Sequence, residues 1–420
     1  MINVAIELFK KGLGYRQIEN VFKVLYPYTM QKAPSDSSIR LWLMRTGHFK
    51  IHKPIPAGEW MILGDVTIDV GKIKCLVTVG ADLNKLHDRE DYTLTLSDLE
   101  IVGISPTQKS TGQFAYEVFK DGIERLGGID AVRGLVIDQG SDVKKGAGLL
   151  QNANAKLKVF FDISHKLALV LEKELKNDPK WNEYTIQLAK TKRLVQQTEL
   201  AALQPPNQRS KARFMNVNLY IKWPKKIIQS KDAGRLDSIP VERYEEYFGW
   251  LSRYSQSLKI WEQKVGVVEA IKETIRKSGL SEKAYDYLLT SIEKMPLEPE
   301  VEEFMCKVFS SVNEEVKKLD KGQVVVAFTE IVESLFGSFK NLTGKGGQGI
   351  TGNALTLATL VGRAQTAEAT CEALEKTPVR KILSWVDEKV GETYAKLRNK
   401  FFKVRKGTKF DSQDPVVTFG

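Results

Sequence analysis

The stretch GLVIDQGSD, residues 134–142, decides the fold class that we predict for this chain. Its apolar run is typical of a buried strand, and the run ends at Asp138, where a glycine turn begins. A carboxylate at the C-terminal end of a core strand lies where α/β sheets commonly carry a site. The alternative, an aspartate that caps a helix or a turn, describes Asp142 better than Asp138. The stretch therefore predicts a strand and then a helix, with Asp138 exposed between them.

A second apolar stretch, MILGDVT at residues 61–67, places Asp65 inside a predicted strand. An ionised carboxylate has no structural use in such a strand, and its burial would need a cation. Strands are predicted at residues 61–70, 72–80, 91–104, 134–138 and 158–161, and helices at residues 108–126 and from 142 onward. Three antiparallel strands followed by alternating helix and strand are the order of an RNase H-like core, an α/β fold with a mixed sheet.

The first fifty residues are predicted to form three short helices. The first two cover residues 2–11 and 15–25, and an N-cap cluster begins a third helix that ends at Gly47. In this third helix Arg40 and Arg45 face outward, which suits the recognition helix of a helix-turn-helix in a DNA major groove. A plain helical bundle with a solvated basic face is the alternative.

From residue 165 to about residue 321 the strand signal gives way to amphipathic helical segments, which indicate a large all-helical insertion. Within it, residues 209–226 contain no acidic residue and mix basic with aromatic side chains. Such a mixture can hold backbone phosphates while the aromatics stack on exposed bases. The DNA contacts predicted here are Arg213, Lys222, Trp223, Lys225 and Lys226. The alternative is a helix with a solvated basic face and aromatic side chains in the core.

After the insertion the chain is predicted to return to the core through an apolar run at residues 323–328 and a helix at residues 329–341. Two more helices are predicted at residues 354–374 and 378–402. The predicted domains are a helix-turn-helix domain at residues 1–55, the first part of the core at 56–165, the helical insertion at 166–321, the second part of the core at 322–376, and a C-terminal helix with a basic tail at 377–420.

The charge of the chain indicates its class of partner, and its cysteine content indicates its cellular compartment. The 420 residues carry a formal net charge of +11, which favours a polyanionic partner through counterion release. The three cysteines are far apart and none belongs to a C-x-x-C pair, which argues against a disulfide framework or a zinc ribbon. No apolar run approaches the length of a membrane span, and the first residues lack the features of a signal peptide. We therefore expect a cytoplasmic protein with no membrane partner.

A third acidic position, Glu333, lies in the stretch TEIVESLFGSFK at residues 329–340. On a helix Glu333, Gly337 and Lys340 share one face, because steps of four and seven residues return a side chain to the same side. That face is narrow and polar. Taken alone, it also fits an ordinary surface helix with a carboxylate and a lysine two turns apart.

Together these segments resemble the DDE transposases and retroviral-type integrases. In that superfamily the first Asp lies in the first strand, the second just after the fourth, and a Glu lies on a later helix with Ser beside it and Lys seven residues on. The matching residues here are Asp65, Asp138, Glu333, Ser334 and Lys340. The motif DISH, from Asp162 to His165, is similar to the [Cys/Asp]-x-x-His motif of hAT-type transposases, whose helical insertion also lies between the second Asp and the Glu.

The sequence also departs from relatives of that superfamily. The Tyr and Arg that precede the Glu in the best-known bacterial cut-and-paste family are replaced by Val326 and Thr329. The sequence has neither the His-His-Cys-Cys zinc module of retroviral integrases nor the zinc finger of hAT enzymes. DNA recognition would then depend on the N-terminal helices.

The resemblance implies an insertion-sequence transposase of a bacterium or archaeon, associated with the nucleoid. Asp65, Asp138 and Glu333 would be catalytic and would hold Mg²⁺ or Mn²⁺, as two ions. Lys340 would contact a phosphate near the cut, with Asp162 and His165 in support, although a lone histidine is more often structural. The implied partners are transposon-end and target DNA, bound by a homodimer or a higher multimer. Two alternatives stay open: a catalytically silent DNA-binding protein derived from a transposase, and an RNase H-like nuclease.

Overall fold

A mixed sheet of five strands lies at the centre of the fold. The computed structural model describes residues 1–28, 32–68, 72–208, 217–292, 294–343 and 349–402. The strands are β1 (Trp60–Ile68), β2 (Lys74–Asp82), β3 (Leu99–Thr107), β4 (Val132–Ile137) and β5 (Val159–Phe161). The helices are α1 (Ile2–Lys10), α2 (Tyr15–Leu25), α3 (Asp36–Lys50), α4 (Leu83–His87), α5 (Gly112–Arg125), α6 (Ser141–Ala153), α7 (Ile163–Lys176), α8 (Pro179–Val195), α9 (Val217–Asp232), α10 (Val241–Phe248), α11 (Ser255–Ser278), α12 (Glu282–Ile292), α13 (Pro299–Val316), α14 (Glu330–Thr343), α15 (Leu357–Leu360), α16 (Ala367–Lys376), α17 (Val379–Trp385) and α18 (Tyr394–Phe402). The predicted α/β class is confirmed.

The strand order across the sheet is β3-β2-β1-β4-β5. β1 pairs with β2, and β2 with β3, in antiparallel fashion, so the first three strands form a meander. β4 pairs in parallel with β1, and β5 in parallel with β4, which requires the crossovers that α5 and α6 supply. The carboxyl ends of β1, β4 and β5 therefore meet at one edge of the sheet.

Both faces of the sheet are buried, and successive side chains of β1 point alternately to the two faces. Trp60 and Ile62 pack in one apolar cluster with α5 and α6, whereas Met61 and Leu63 pack in the other. At Gly64 an added Cβ would lie 2.6 Å from Cε1 of Phe119 on α5, so only glycine lets the helix approach the strand this closely. The apolar character of this strand thus reflects burial on two sides.

The third strand is shorter than predicted and begins later in the chain. The sequence predicts a strand at residues 91–104, but β3 begins at residue 99. Before it, Asp98 accepts a hydrogen bond from the backbone N–H of Thr95 at 2.8 Å and closes a tight turn. The backbone N–H of Tyr92 donates to the carbonyl of Lys277 on α11 at 2.7 Å. These contacts occupy the backbone that the predicted strand would have used.

The N-terminal helices pack against the C-terminal part of the chain. The side chain of Ser35 caps α3 by accepting from the N–H of Ser38 at 3.2 Å, as the N-cap cluster predicts. The helix does not end at Gly47, which corrects the predicted boundary. A Cβ at Gly47 would lie 1.9 Å from the carbonyl oxygen of Leu355, so this glycine permits close packing instead of ending a helix. α1, α2 and α3 share one hydrophobic cluster with residues 354–361.

Helices separated by short loops make up the described part of residues 163–316, where the sequence predicts a helical insertion at residues 166–321. Its centre is aromatic, and the rings of Trp181 and Trp261 meet edge to face with centroids 4.9 Å apart. Beyond it Val325 forms a single antiparallel bridge with Leu280, and the chain continues into α14, which packs against β1. Among the described helices, none combines the length and the apolar character needed to cross a membrane.

The two helices predicted at residues 354–374 and 378–402 are both interrupted, which corrects the prediction. Gly362, with a φ of +85°, turns the chain after α15, and the side chain of Thr366 then caps α16. Gly391, with a φ of +65°, separates α17 and its following turn from α18. Both glycines adopt backbone conformations that other residues rarely take. The chain therefore turns at these positions, although the helical periodicity of the sequence continues through them.

Candidate active site

Two of the predicted acids, Asp65 and Asp138, lie next to each other in the sheet. Gly64 of β1 is in parallel register with Ile137 of β4, and the next residue is an aspartate in each case: Asp65 within β1 and Asp138 just after β4. The side chain of Asp138 accepts a hydrogen bond from the N–H of Gly140 at 3.0 Å. That of Asp65 accepts from the N–H of Val66 at 2.7 Å. The sheet therefore brings two carboxylates from distant parts of the sequence to one edge.

Burial and neighbouring charge act together on Asp65. The residue is only 9% exposed. Burial raises the pKa of its carboxyl group to about 7, and the charge of Asp138 is the next largest cause. Glu333 raises the pKa further, while the N–H of Val66 and the charge of His165 lower it. A bound cation would stabilise the ionised form of a carboxyl group that, like Asp65, resists ionisation beside other carboxylates.

Glu333 lies on the exposed face of α14, together with Gly337 and Lys340, as the helical spacing predicts. Its side chain is 43% exposed. Oε1 of Glu333 lies 3.3 Å from Nε2 of His165 on α7. Because α14 packs against β1, the long helical region returns Glu333 to the side of the sheet where Asp65 lies, and the electrostatic effect of Glu333 on Asp65 reflects this.

Asp162 joins three elements at the bottom of this site. It is fully buried, and its Oδ1 accepts a hydrogen bond from the N–H of His165 at 2.8 Å, which caps α7. Its Oδ2 accepts from the hydroxyl of Thr329 at 2.8 Å and from the N–H of the same residue, just before α14. Although burial alone would raise the pKa of Asp162, these donors and the charge of His165 lower it. An ionised Asp162 thus connects the end of β5 to the starts of α7 and α14.

His165 is held between two carboxylates. Its Nδ1 lies 3.2 Å from Oδ1 of Asp162, without the alignment of a hydrogen bond, and its Nε2 contacts Glu333. Asp162 first and Glu333 second raise the pKa of His165 to about 10, against the opposing effect of burial. The ring is therefore an imidazolium that offsets part of the negative charge. The sequence motif predicted a supporting role, and the contact with Glu333 adds a partner that spacing alone did not indicate.

The three acids have the right chemistry to bind a hard divalent cation, but their side chains are not arranged around a common metal position. Carboxylate oxygens are the ligands that Mg²⁺ and Mn²⁺ prefer, and two of them come from Asp65, within β1, and Asp138, just after the adjacent strand β4. Yet within the described ranges no three His, Cys, Asp or Glu side chains lie close enough to one another to bind one metal ion jointly. Glu333 instead faces His165 in this arrangement.

Sequence reasoning missed a second set of charges beside Glu333. Glu330, at the start of α14, is paired with Arg276 and Lys272 of α11. Lys272 and Arg276 are four residues apart and share a helix face, which is visible in the sequence. Their partner lies 54 residues beyond Arg276, and no local pattern indicates such a distant pair.

The residues predicted to contact DNA from α3 have different surroundings. Arg40 is exposed. Arg45 instead donates hydrogen bonds to the carbonyl of Thr377, at 2.7 Å, and to that of Leu374. The outward-facing position predicted for Arg45 is corrected accordingly, because its guanidinium group ties α3 to the end of α16.

The basic stretch of the insertion is only partly described, and Arg213 lies outside the described residues. Lys222 and Lys226 are exposed on α9, so their predicted contacts with phosphates stay predictions. Lys225 forms an ion pair with Glu262 of α11. A DNA phosphate would have to compete with that carboxylate for Lys225.

Two aromatic side chains of the same stretch, Tyr220 and Trp223, contribute to packing. Tyr220 is buried. The indole N–H of Trp223 donates to the carbonyl of Leu203 at 3.0 Å, and its ring centroid lies 6.2 Å from that of Phe248. The alternative interpretation of the sequence, aromatics in the core, describes these two residues better than stacking on bases.

Comparison with protein-family models gives no match to this chain, and comparison with curated proteins gives none either. A function for this chain is therefore inferred from the residues of the site and their arrangement.

Proposed function

We propose that this protein is a DDE-type transposase of the RNase H-like fold, which cuts and rejoins DNA at a divalent-metal site. The observation that carries the proposal is the pair Asp65 and Asp138 on adjacent parallel strands, with Glu333 returned to them on α14 after a helical insertion. The strand order β3-β2-β1-β4-β5, with an antiparallel meander and two parallel strands, is the order expected for that core. The acids lie at the carboxyl edge, where α/β sheets commonly bind ligands.

Asp65, Asp138 and Glu333 would hold Mg²⁺ or Mn²⁺, and we propose that two ions bind. When bound, such ions lower the pKa of a coordinated water or 3′-hydroxyl and stabilise the leaving oxygen of an in-line displacement. Ionisation of Asp65 would follow, because a dication offsets the burial and the repulsion by Asp138 that raise its pKa. Asp162 holds the starts of α7 and α14 together, so it positions His165 and Glu333 without touching the substrate.

The reaction has two displacement steps at phosphorus. In the first, a water oxygen bonds to the phosphorus at the element end, the P–O3′ bond breaks, and a proton passes to the departing 3′-oxygen. In the second, that 3′-hydroxyl loses its proton and attacks a phosphorus of the target strand, which releases a new 3′-hydroxyl. The exposed face of α14 places Lys340 two turns from Glu333, where it would contact a phosphate next to the reacting one.

DNA is the partner that the charge of the chain favours. The net charge of +11 and the exposed side chains of Arg40, Lys222 and Lys226 provide sites for phosphate contacts. Joining both ends of an element to one target needs two active sites, so we expect a homodimer or a higher multimer on DNA. We expect the protein in the cytoplasm, at the nucleoid.

The second candidate function is a catalytically silent DNA-binding protein derived from a transposase. It is favoured by one observation: Glu333 faces His165, and the described side chains do not form a three-ligand metal group. The two candidates differ in whether binding of metal and DNA completes the site.

The experiment uses full-length protein, Mg²⁺, and a plasmid that carries the DNA flanking the gene on both sides. We expect wild type to nick the DNA at the element ends and join the ends to target DNA, and Asp65→Ala to do neither. If wild type binds the DNA but nicks it no better than Asp65→Ala, the silent protein is the correct assignment. Cutting without any joined product would instead identify a nuclease.

A further inference from the structure

A cluster of charges at the start of α14 joins this helix to the insertion. Nη2 of Arg276 lies 2.6 Å from Oε2 of Glu330, and Nζ of Lys272 lies 3.7 Å from Oε1. The hydroxyl of Ser164 on α7 donates to Oε1 of Glu330. Lys272 is 12% exposed and Glu330 28%, so water screens this pairing less than it screens most surface ion pairs. One carboxylate therefore receives two cations from α11 and a hydroxyl from α7.

Arg276 holds the chain on both sides of Thr329. Besides pairing with Glu330, its guanidinium group lies 5.3 Å from the ring centroid of Phe328. Thr329, between these two residues, is bound by Asp162. The chain that leads into α14 is thus held from one side by α11 and from the other by the end of β5.

Two consecutive residues of α7 face two carboxylates that are one turn apart on α14. Ser164 bonds Glu330, and His165 contacts Glu333. Residues three apart on a helix are neighbours on its surface, so a rotation or shift of α14 that breaks one of these contacts also disturbs the other. The cations that fix Glu330 come only from α11 among the ion pairs of the described residues.

We propose that Glu330 is a positioning residue for Glu333, and that Arg276 and Lys272 make α11 of the insertion a structural part of the active site. The inference rests on the proposed function for the role of Glu333, but the geometry it concerns does not require DNA. It assigns the insertion a task beyond DNA contact: to hold the helix that carries the third acid. Residues that orient metal ligands from behind typically change metal affinity by ~10-fold or more when they are altered.

The chain offers a matched control for loss of an ion pair to the same helix. Glu174 of α7 pairs with Lys264 of α11 at 2.7 Å, and the two side chains are 21% and 10% exposed. This pair joins the insertion to α7 with comparable burial, and neither residue lies on α14. Glu174→Gln therefore removes a similar interaction without releasing the helix that carries Glu333.

The test compares Glu330→Gln with Glu174→Gln in the full chain, without DNA. Manganese binding is measured by calorimetry, and the imidazole resonances are recorded by NMR at one pH, where the chain has only four histidines and His165→Gln assigns the signal. We expect Glu330→Gln to weaken Mn²⁺ binding by ~10-fold or more and to shift the His165 resonance. We expect Glu174→Gln to change neither. Should Glu330→Gln fail to fold, Arg276→Lys, which keeps the charge but loses the planar contact, is expected to give smaller changes in the same direction.

Equal changes in the two variants, or no change in Glu330→Gln, would overturn the positioning role. The proposed function can fail separately. If wild type binds Mn²⁺ with this dependence on Glu330 but never cuts DNA, the positioning role stands and catalysis does not. If wild type binds no Mn²⁺, the His165 resonance decides alone: a shift limited to Glu330→Gln supports the role, and an unchanged resonance overturns it.

Discussion

Asp65 lies in the middle of an apolar strand, beside Asp138, with its carboxyl group almost covered. Its side chain accepts a hydrogen bond from the N–H of Val66, and its ionisation is opposed by burial and by two other acids. A buried carboxyl group whose pKa is raised by other acids is typical of a functional site. Two predictions at this scale concern groups whose burial changes the pH dependence of stability.

Asp65→Asn is expected to make the metal-free protein more stable above pH 7. The folded-state pKa of Asp65, about 7, lies above its ordinary value of 3.8, so the stability that this proton gives is present below about pH 4 and is lost as pH rises through 7. An amide avoids that loss and still accepts from Val66, which gives a gain of roughly 1 to 4 kcal/mol. Urea unfolding with EDTA at pH 5 and pH 8 measures it, with Asp142→Asn as the control. A variant no more stable than wild type at pH 8 would contradict the burial of this charge.

Lys50 is expected to make the stability of wild type rise between pH 7 and pH 10. It is 4% exposed and donates to the carbonyl of Val361, and burial followed by the charges of Lys10 and Lys53 lowers its pKa to about 7. Because the unfolded chain keeps this proton up to about pH 10.5, folding is increasingly favoured as pH rises from 7 toward that value. Lys50→Met should flatten this rise in urea unfolding, and Lys120→Met, at an exposed site, should preserve it. The same rise in Lys50→Met would show that another group causes it.

Glycines that allow close packing shape several elements, and they also limit how much of the fold the sequence could predict. Sequence alone does not distinguish a glycine within a helix from one that ends a helix. Gly47 lies inside α3, whereas Gly362 turns the chain after α15. Local periodicity predicted the strands around Asp65 and Asp138 and the face shared by Glu333 and Lys340. It could not predict the interruption at Gly362, because the N–H of this glycine donates to the carbonyl of Leu96, a contact with a distant part of the chain.

Gly47→Ala is expected to destabilise the fold by about 1 to 3 kcal/mol, because the new methyl group would overlap the carbonyl of Leu355 and push α3 from the chain it packs on. Gly266→Ala in α11 is the matched control, since no atom lies within 4 Å of its Cβ position. There the better helix propensity of alanine should stabilise by up to ~1 kcal/mol. Thermal and urea unfolding of both variants measure the difference. A neutral Gly47→Ala would contradict the packing described for α3.

The contacts of the site between distant segments set a second limit on prediction. Sequence spacing and resemblance proposed Asp65, Asp138 and Glu333 together, but the pairing of Glu330 with Arg276 joins two helices far apart in the chain. Likewise, the bond of Trp223 to Leu203 depends on how the insertion folds back on itself. Basic and aromatic composition alone cannot distinguish a packed indole from one that meets a base.

At the scale of the whole molecule, the insertion joins the exposed lysines of α9 to the helix that bears Glu333. It carries exposed lysines on α9, and its helix α11 contacts α14, which bears Glu333. The N-terminal helices share a hydrophobic cluster with residues 354–361, so they are packed on the rest of the fold. DNA bound to α9 or to the N-terminal helices would therefore contact elements that are packed on the rest of the fold.

The double variant Lys222→Gln and Lys226→Gln is expected to weaken DNA binding and to reduce its dependence on salt. Each lysine that neutralises a phosphate contributes about one unit to the slope of log affinity against log salt, so the slope should fall by up to ~2. Lys225→Gln, whose lysine is paired with Glu262, should change the slope less. Fluorescence anisotropy across a NaCl series gives these slopes. An unchanged slope in the double variant would exclude α9 from the DNA interface.

The central claim is that Asp65, Asp138 and Glu333 form one metal centre, and diffraction from crystals soaked in Mn²⁺ tests it most directly. We predict anomalous peaks within about 2.2 Å of carboxylate oxygens of all three residues, with Glu333 turned from His165 toward the metal. The same soak of Asp65→Asn should lose at least one peak. Crystals of wild type with no manganese between Asp65 and Asp138, or with Glu333 still paired to His165 at saturating metal, would contradict the account.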